Sequence, residues 1–182
     1  LVGSEMCIRD SDRTRLDETE RVLSTLLGNL PGMMYRCAND PRWPFEIAGG
    51  DVETLTGHTP EELTSGTVFY RDLIATSDRD RVWREVQDAV TDRRPYDLDY
   101  RIRTRDGGER WVWERGVGVR DHAGEVRFLE GFITDVSEPH RLAVELERAH
   151  AATREAEKRA LLGTLAAGLA HDIGTPLTTI LG

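Results

Sequence analysis

Between Tyr96 and Arg103 the chain alternates Tyr96, Leu98, Tyr100 and Ile102 with Asp97, Asp99, Arg101 and Arg103. Successive side chains of a strand point to opposite faces, so this pattern suits a strand with one dry face and one wet face. A helical period would scatter the same residues around the axis. Asp106-Gly107 follows, a dipeptide favoured in tight hairpin turns. Trp111 to Val119 supplies the returning strand, and beyond Asp121 to Gly124 a further strand runs from Val126 to Ile133. Upstream, Met33 to Cys37 and Phe45 to Ala48 form two opening strands around the turn-rich Asn39-Asp40-Pro41. Three short helical stretches are predicted to cover the dry face: Asp51 to Thr56, Pro60 to Thr64 behind the cap Thr59, and Asp78 to Thr91. The last carries Val82, Trp83, Val86 and Val90 on one side. The predicted fold class is therefore α+β, a five-stranded antiparallel sheet with short helices packed against it.

Both flanks have a different pattern. Leu1 to Ser11 has neither period and reads as a non-native leader. Residues 12–30 form a charged helix with Leu16, Leu23 and Leu30 seven apart and Leu26 between them, a short coiled-coil seam that Pro31-Gly32 ends. Residues 31–137 make the sheet domain. Ser137 is predicted to cap a second helix, with Glu138 and Pro139 in its first turn. From there Leu142, Leu146, Ala149, Thr153, Ala156, Ala160, Gly163, Ala167 and Ala170 follow alternating steps of four and three, the spacing of a supercoiled seam. Residues 138–160 thus read as a coiled-coil helix that pairs with a second copy, and the chain as a homodimer through its helices.

Residues 161–182 contain the chemistry. At about 100° per residue, Leu162, Leu165, Leu169, Ile173, Leu177 and Ile180 line one apolar stripe, and His171 lies about 200° from Leu169 and Ile173. The histidine faces away from the seam, next to the carboxylate of Asp172. Neutral imidazole is a nucleophile near pH 7, and an adjacent acid supports the charge that develops when it attacks. Pro176 removes the hydrogen bond to the carbonyl of residue 172 and is predicted to bend the helix one turn beyond His171.

Charge and cysteine content narrow the partners. A net charge of −9, with arginines interleaved among acids, opposes a nucleic-acid surface. Two cysteines, Cys7 and Cys37, give neither a disulfide framework nor metal-ligand spacing. The longest apolar run, Leu161 to Ala170, is far short of the roughly 20 residues that span a bilayer. A cytoplasmic location is expected.

Two families match these residues. Residues 31–137 resemble a PAS domain through Leu55-Thr56-Gly57-His58-Thr59-Pro60-Glu61-Glu62-Leu63, Asp72-Leu73-Ile74 with Asp78, the Tyr100 to Gly107 strand and turn, Trp111-Val112, and Gly131 to Ser137. The family's closing Asp-Ile-Thr stands here as Asp135-Val136-Ser137. The resemblance implies a small pocket between sheet and helices, for which Tyr100, Ile102, Trp113 and Phe128 are the candidate lining residues, with no ligand specified. The Asn-Cys-Arg run of flavin-binding relatives is absent, and His58 and His122 fall in turns rather than on a pocket helix.

His171, Asp172, Thr175, Pro176 and Leu177 resemble the H-box of the dimerisation and phosphoacceptor domain of sensor histidine kinases, with Asp in place of the commoner Glu. That resemblance implies that His171 takes the γ-phosphate of ATP, that Asp172 is its acid/base partner, and that Thr175 positions a water during dephosphorylation. The expected partner is a response-regulator receiver domain. Phosphoryl transfer also needs groups that hold ATP and Mg²⁺, and the chain contains no Gly-rich phosphate loop or Asn/Asp metal cluster. The ATP-binding kinase domain is therefore expected elsewhere, and the chain is expected to be the truncated sensor and acceptor half of a two-component kinase. The alternative is a non-enzymatic PAS dimerisation or ligand-binding module.

Overall fold

The computed structural model describes residues 31–180 together with Glu18 and Thr25, and side chains as far as Gly163. The leader 1–11 and the leucines of helix 12–30 lie outside the described residues; Glu18 and Thr25 are both helical.

Five strands form one antiparallel sheet: β1 (Met33–Ala38), β2 (Phe45–Gly50), β3 (Tyr96–Arg103), β4 (Glu109–Arg120) and β5 (Val126–Asp135). Their order is β2-β1-β5-β4-β3. The last three strands form the meander that the alternation predicts, and β1 closes on the far side of β5 with Met33 opposite Ile133 and Tyr35 opposite Gly131. Four helices fill the connection from β2 to β3: α1 (Val52–Thr56), α2 (Pro60–Thr64), α3 (Tyr70–Leu73) and α4 (Arg79–Thr91). The long α5 (Ser137–Ile180) leaves the end of β5. Two units result, one through Ser137 and one from Glu138 onward. No helix among the described residues is long and apolar enough to cross a membrane.

Local chemistry accounts for the helices. Thr59 caps α2 as the sequence predicts: its hydroxyl accepts from the Glu62 N–H, and the Glu62 carboxylate accepts from the Thr59 N–H. Val82, Val86 and Val90 of α4 are buried against the sheet, with Ala89. The four-residue α3 was not predicted, because its single apolar turn is too short to show a period.

Asp78 fastens the helical layer to β3. Its carboxylate accepts from the Arg101 backbone N–H (3.1 Å), from Nε (3.0 Å) and from Nη2 (2.8 Å). These bonds from the Arg101 side chain hold the Asp78 carboxyl down at about 2. A carboxylate depressed on folding stabilises above its unfolded value of about 3.9, and the contribution disappears as pH falls through the folded value. Asp78→Asn is thus expected to cost about 2 kcal/mol at pH 7. The gap from wild type should narrow as urea unfolding is repeated between about pH 4 and pH 2.

The structure corrects three side-chain assignments. Trp113 and Phe128 do not line the core. On β4 the buried set is Val112, Glu114 and Gly116, so Trp113 stands on the opposite face, where its indole N–H donates to Asp97 (2.6 Å). On β5 the buried residues are Leu129 and Ile133, and Phe128 lies on the outer face beneath the Arg36 guanidinium (4.2 Å). The reason is volume. A Cβ at Gly116 would fall inside the phenol of Tyr96, and one at Gly131 would lie 2.8 Å from the Tyr35 hydroxyl. The inner face needs these glycines to admit tyrosine rings from neighbouring strands, and the aromatic side chains Trp113 and Phe128 stand on the other face. The third correction is Ser137, which does not cap α5: it is the first helical residue and its hydroxyl is engaged by β4.

Candidate functional site

All four tyrosines of the chain converge on one carboxyl group. Glu114, on the inner face of β4, is 6% exposed. Tyr35 of β1 donates a short hydrogen bond to its Oε1, and Tyr100 of β3 donates to Oε2 (2.7 Å). Each of these phenols contacts another: Tyr35 with Tyr96 of β3 at 2.7 Å, and Tyr100 with Tyr70 of α3 at 3.0 Å. Burial pushes the Glu114 carboxyl above its ordinary range, and its two phenol hydrogen bonds only partly oppose this. Burial likewise raises all four phenols, and the Cys37 thiol beside them.

The rings around this group are ordered. Tyr35 stacks on Phe45 (5.2 Å between centroids), and Phe45 on Tyr70 (5.3 Å). The cavity they enclose, bounded also by Trp43, Tyr96 and Glu114, has about 10 Å³ of free space, on the order of one water molecule. Of the expected lining residues, Tyr100 and Ile102 are fully buried on the core side, and Tyr100 is bound to Glu114. Residue-level reasoning missed Glu114, Tyr35, Tyr70 and Tyr96 as a group. Parity puts Glu114 and Gly116 on one face of a strand whose other face carries Trp111, Trp113 and Val117, but does not say which face is inside.

A second cluster sits where the sheet meets α5. The Trp111 N–H donates to the Ser137 hydroxyl (2.9 Å), and the Trp111 carbonyl accepts from the Val136 N–H (2.9 Å). Asp135 accepts from the Ser137 N–H (2.8 Å) and from Arg110 (3.0 Å). Burial disfavours the Asp135 carboxylate, but the Ser137 bonds and Arg110 outweigh it and hold its pKa below the usual value. The first residue of α5 is therefore tied to β4 as well as to β5.

Of the two turn histidines, His58 is sheltered with Nδ1 3.4 Å from Glu62, whereas His122 is exposed. No group of three His, Cys, Asp or Glu side chains able to hold a metal occurs among the described residues. His171, Asp172, Thr175 and Pro176 lie on α5, which continues through Pro176, but their side chains are outside the described residues.

A five-stranded antiparallel sheet in this order, with short helices enclosing a polar group in the core and a long helix leaving its last strand, defines a small α+β domain of PAS-like topology. Residues 47–133 match the PAS fold, and the sheet domain has a PAS-like architecture. Over 122 residues, 66% of the chain, it is 30% identical to the methyl sulfide methyltransferase-associated sensor of Methanosarcina acetivorans, and covers 12% of that protein. Over 107 residues, 56% of the chain, it is 32% identical to the blue-light-activated histidine kinase of Brucella ovis, and covers 21% of it. A sensory box histidine kinase/response regulator from Burkholderia thailandensis shares the fold, with TM-score 0.58 and 23% identity over 74% of this chain and 97% of that one. The chain spans a small part of the length of these curated relatives.

Proposed function

We infer that the PAS domain is the input half of a sensor histidine kinase and that His171 is its phosphoacceptor. The observation that carries this reading is α5, one helix from Ser137 to Ile180 that starts on the PAS sheet and contains the His171 to Leu177 motif. The histidine kinase among the relatives supports the same class of output. Neutral His171 would attack the γ-phosphorus of ATP, forming an N–P bond as the P–O bond to ADP breaks, while Asp172 supports the charge on the ring. The phosphoryl group would then pass to an aspartate of a response-regulator receiver domain, and Thr175 would orient water for the hydrolytic reaction. ATP and Mg²⁺ belong to a separate kinase domain, and the cytoplasm is where that domain finds its nucleotide.

The helices would pair two copies. Leu142 and Leu146 are more than half exposed in the single chain, apolar surface on the predicted seam that a second α5 would cover. The test is transfer of labelled phosphate from ATP to the chain by a histidine-kinase ATP-binding domain supplied in trans. Acid-labile label is expected on wild type and none on His171→Gln, with both melting alike. A wild-type chain that stays unlabelled beside a kinase domain active on its own acceptor would replace this reading with the non-enzymatic binding module.

A further inference from the structure

The core around Glu114 has a feature that no part of the phosphoacceptor chemistry uses: a buried titratable carboxyl at the junction of two directional hydrogen-bond arms. Each phenol has one hydrogen to give. Tyr35 and Tyr100 give theirs to Glu114, so Tyr96 must donate to Tyr35 and Tyr70 must donate to Tyr100. In this arrangement all four hydrogens point inward and satisfy an ionised carboxylate. A fifth hydrogen, on Glu114 itself, has no acceptor until one arm reverses. Glu114 would then donate to Tyr35 and Tyr35 to Tyr96, or the same would happen through Tyr100 to Tyr70. Either way a hydrogen emerges at the end of an arm. The water-sized cavity is lined by both arm ends, Tyr96 and Tyr70, which gives that hydrogen a place to be accepted.

The surroundings offer no charge to hold the ionised form. From β1 the facing titratable groups are Tyr35 and Cys37, from α3 Tyr70, and from β3 Tyr96 and Tyr100; α4 contributes Val86, β5 Leu129 and β2 Phe45. Among the described residues no arginine, lysine or histidine lines the cavity, so the buried carboxylate would stand with neutral partners alone. The arms also span the layers, since Tyr70 belongs to α3 and the other three tyrosines to the sheet.

We propose that the Glu114 cluster is a proton-operated switch of the PAS core, in which one proton gained or lost at Glu114 reverses an arm and changes how α3 is held against the sheet. The stimulus is proton activity itself. This does not depend on His171 accepting phosphate.

A carboxyl raised on folding binds a proton that the unfolded chain releases. Its stabilisation is present below the unfolded value of about 4.3 and is lost as pH rises through the folded value. The experiment is the melting temperature of the chain as a function of pH, with infrared spectra of the same samples. Wild type is expected to lose about 5 °C or more per pH unit over the titration of Glu114, relative to Glu114→Gln. Its spectrum should show a protonated buried carboxyl band that fades over the same range and is absent from Glu114→Gln. Tyr100→Phe deletes a donor to the carboxylate and should move both transitions to higher pH, which keeps the test available if the glutamine variant does not fold. Equal pH slopes in wild type and Glu114→Gln, a missing carboxyl band, or transitions in Tyr100→Phe at the wild-type pH would each overturn the proposal.

Discussion

Gly116→Ala is expected to destabilise the PAS domain by about 3–5 kcal/mol, the sum of an overpacking cost and a broken buried hydrogen bond. Its Cβ would occupy the space of the Tyr96 phenol, which is 1% exposed. The ring cannot retreat cheaply. Its hydroxyl is 2.7 Å from Tyr35, and Tyr35 in turn holds Glu114, so any shift of Tyr96 pulls on a carboxyl with no other charge partner nearby. A loss of this size is a large part of the 5–15 kcal/mol that holds an ordinary domain together. The check is urea unfolding as a double-mutant cycle with Tyr96→Ala. With the phenol absent, Gly116→Ala should cost under about 1 kcal/mol, because the three atoms nearest the added Cβ all belong to Tyr96. An undiminished cost in that background would mean that the glycine serves its own backbone and not the tyrosine.

That contact also explains what could be seen in the sequence and what could not. Period-two alternation announces a strand and divides its residues into two sets, but it does not say which set faces in. On β3 the two agree, because Tyr96, Leu98, Tyr100 and Ile102 are both the apolar set and the buried set. On β4 they conflict: Trp111 and Trp113 look like core, yet Glu114 and Gly116 are the residues turned inward. Only the neighbouring strands decide it. Tyr96 pairs opposite Gly116 and Tyr35 opposite Gly131, so two small residues and one hydrogen-bonding residue fill the space the phenols leave. A long-range requirement of that kind leaves no local trace in composition.

The start of α5 carries a related lesson. Ser137 has the composition of an N-cap, and in isolation its hydroxyl would be expected to accept from the first turn of its own helix. Trp111 competes for it and wins, because the β4–β5 ladder begins only at Val112 and Asp135 and leaves the Trp111 N–H to the residue that follows β5. Asp135 then satisfies the Ser137 N–H. Ser137 is thereby anchored to the strand that carries Glu114, three residues beyond Trp111. The His171 to Leu177 motif, by contrast, is legible as a motif alone, since the role proposed for it lies in side-chain chemistry rather than in packing.

If α5 conducts a signal from the sheet to His171, it must do so as a helix of defined phase, and this makes the second large prediction. One residue inserted after Ala151 turns everything beyond it by about 100° relative to the anchored start at Ser137. The predicted seam is broken there, because Leu142, Leu146 and Ala149 keep their face while Thr153, Ala156, Ala160 and Gly163 leave it. Insertion of seven residues lengthens the helix but returns the seam to register. In a chain joined to its phosphorylating domain, the single insertion is expected to change the rate of His171 labelling by about 5- to 150-fold, the span of ordinary allosteric couplings. Seven residues should restore most of it. The alanine-rich seam makes the response large, since small side chains hold any one register weakly and the two phases are close in energy. Labelling that follows length alone, falling steadily from one inserted residue to seven, would mean that α5 acts as a spacer and that the PAS domain reaches His171 by some route other than rotation of this helix.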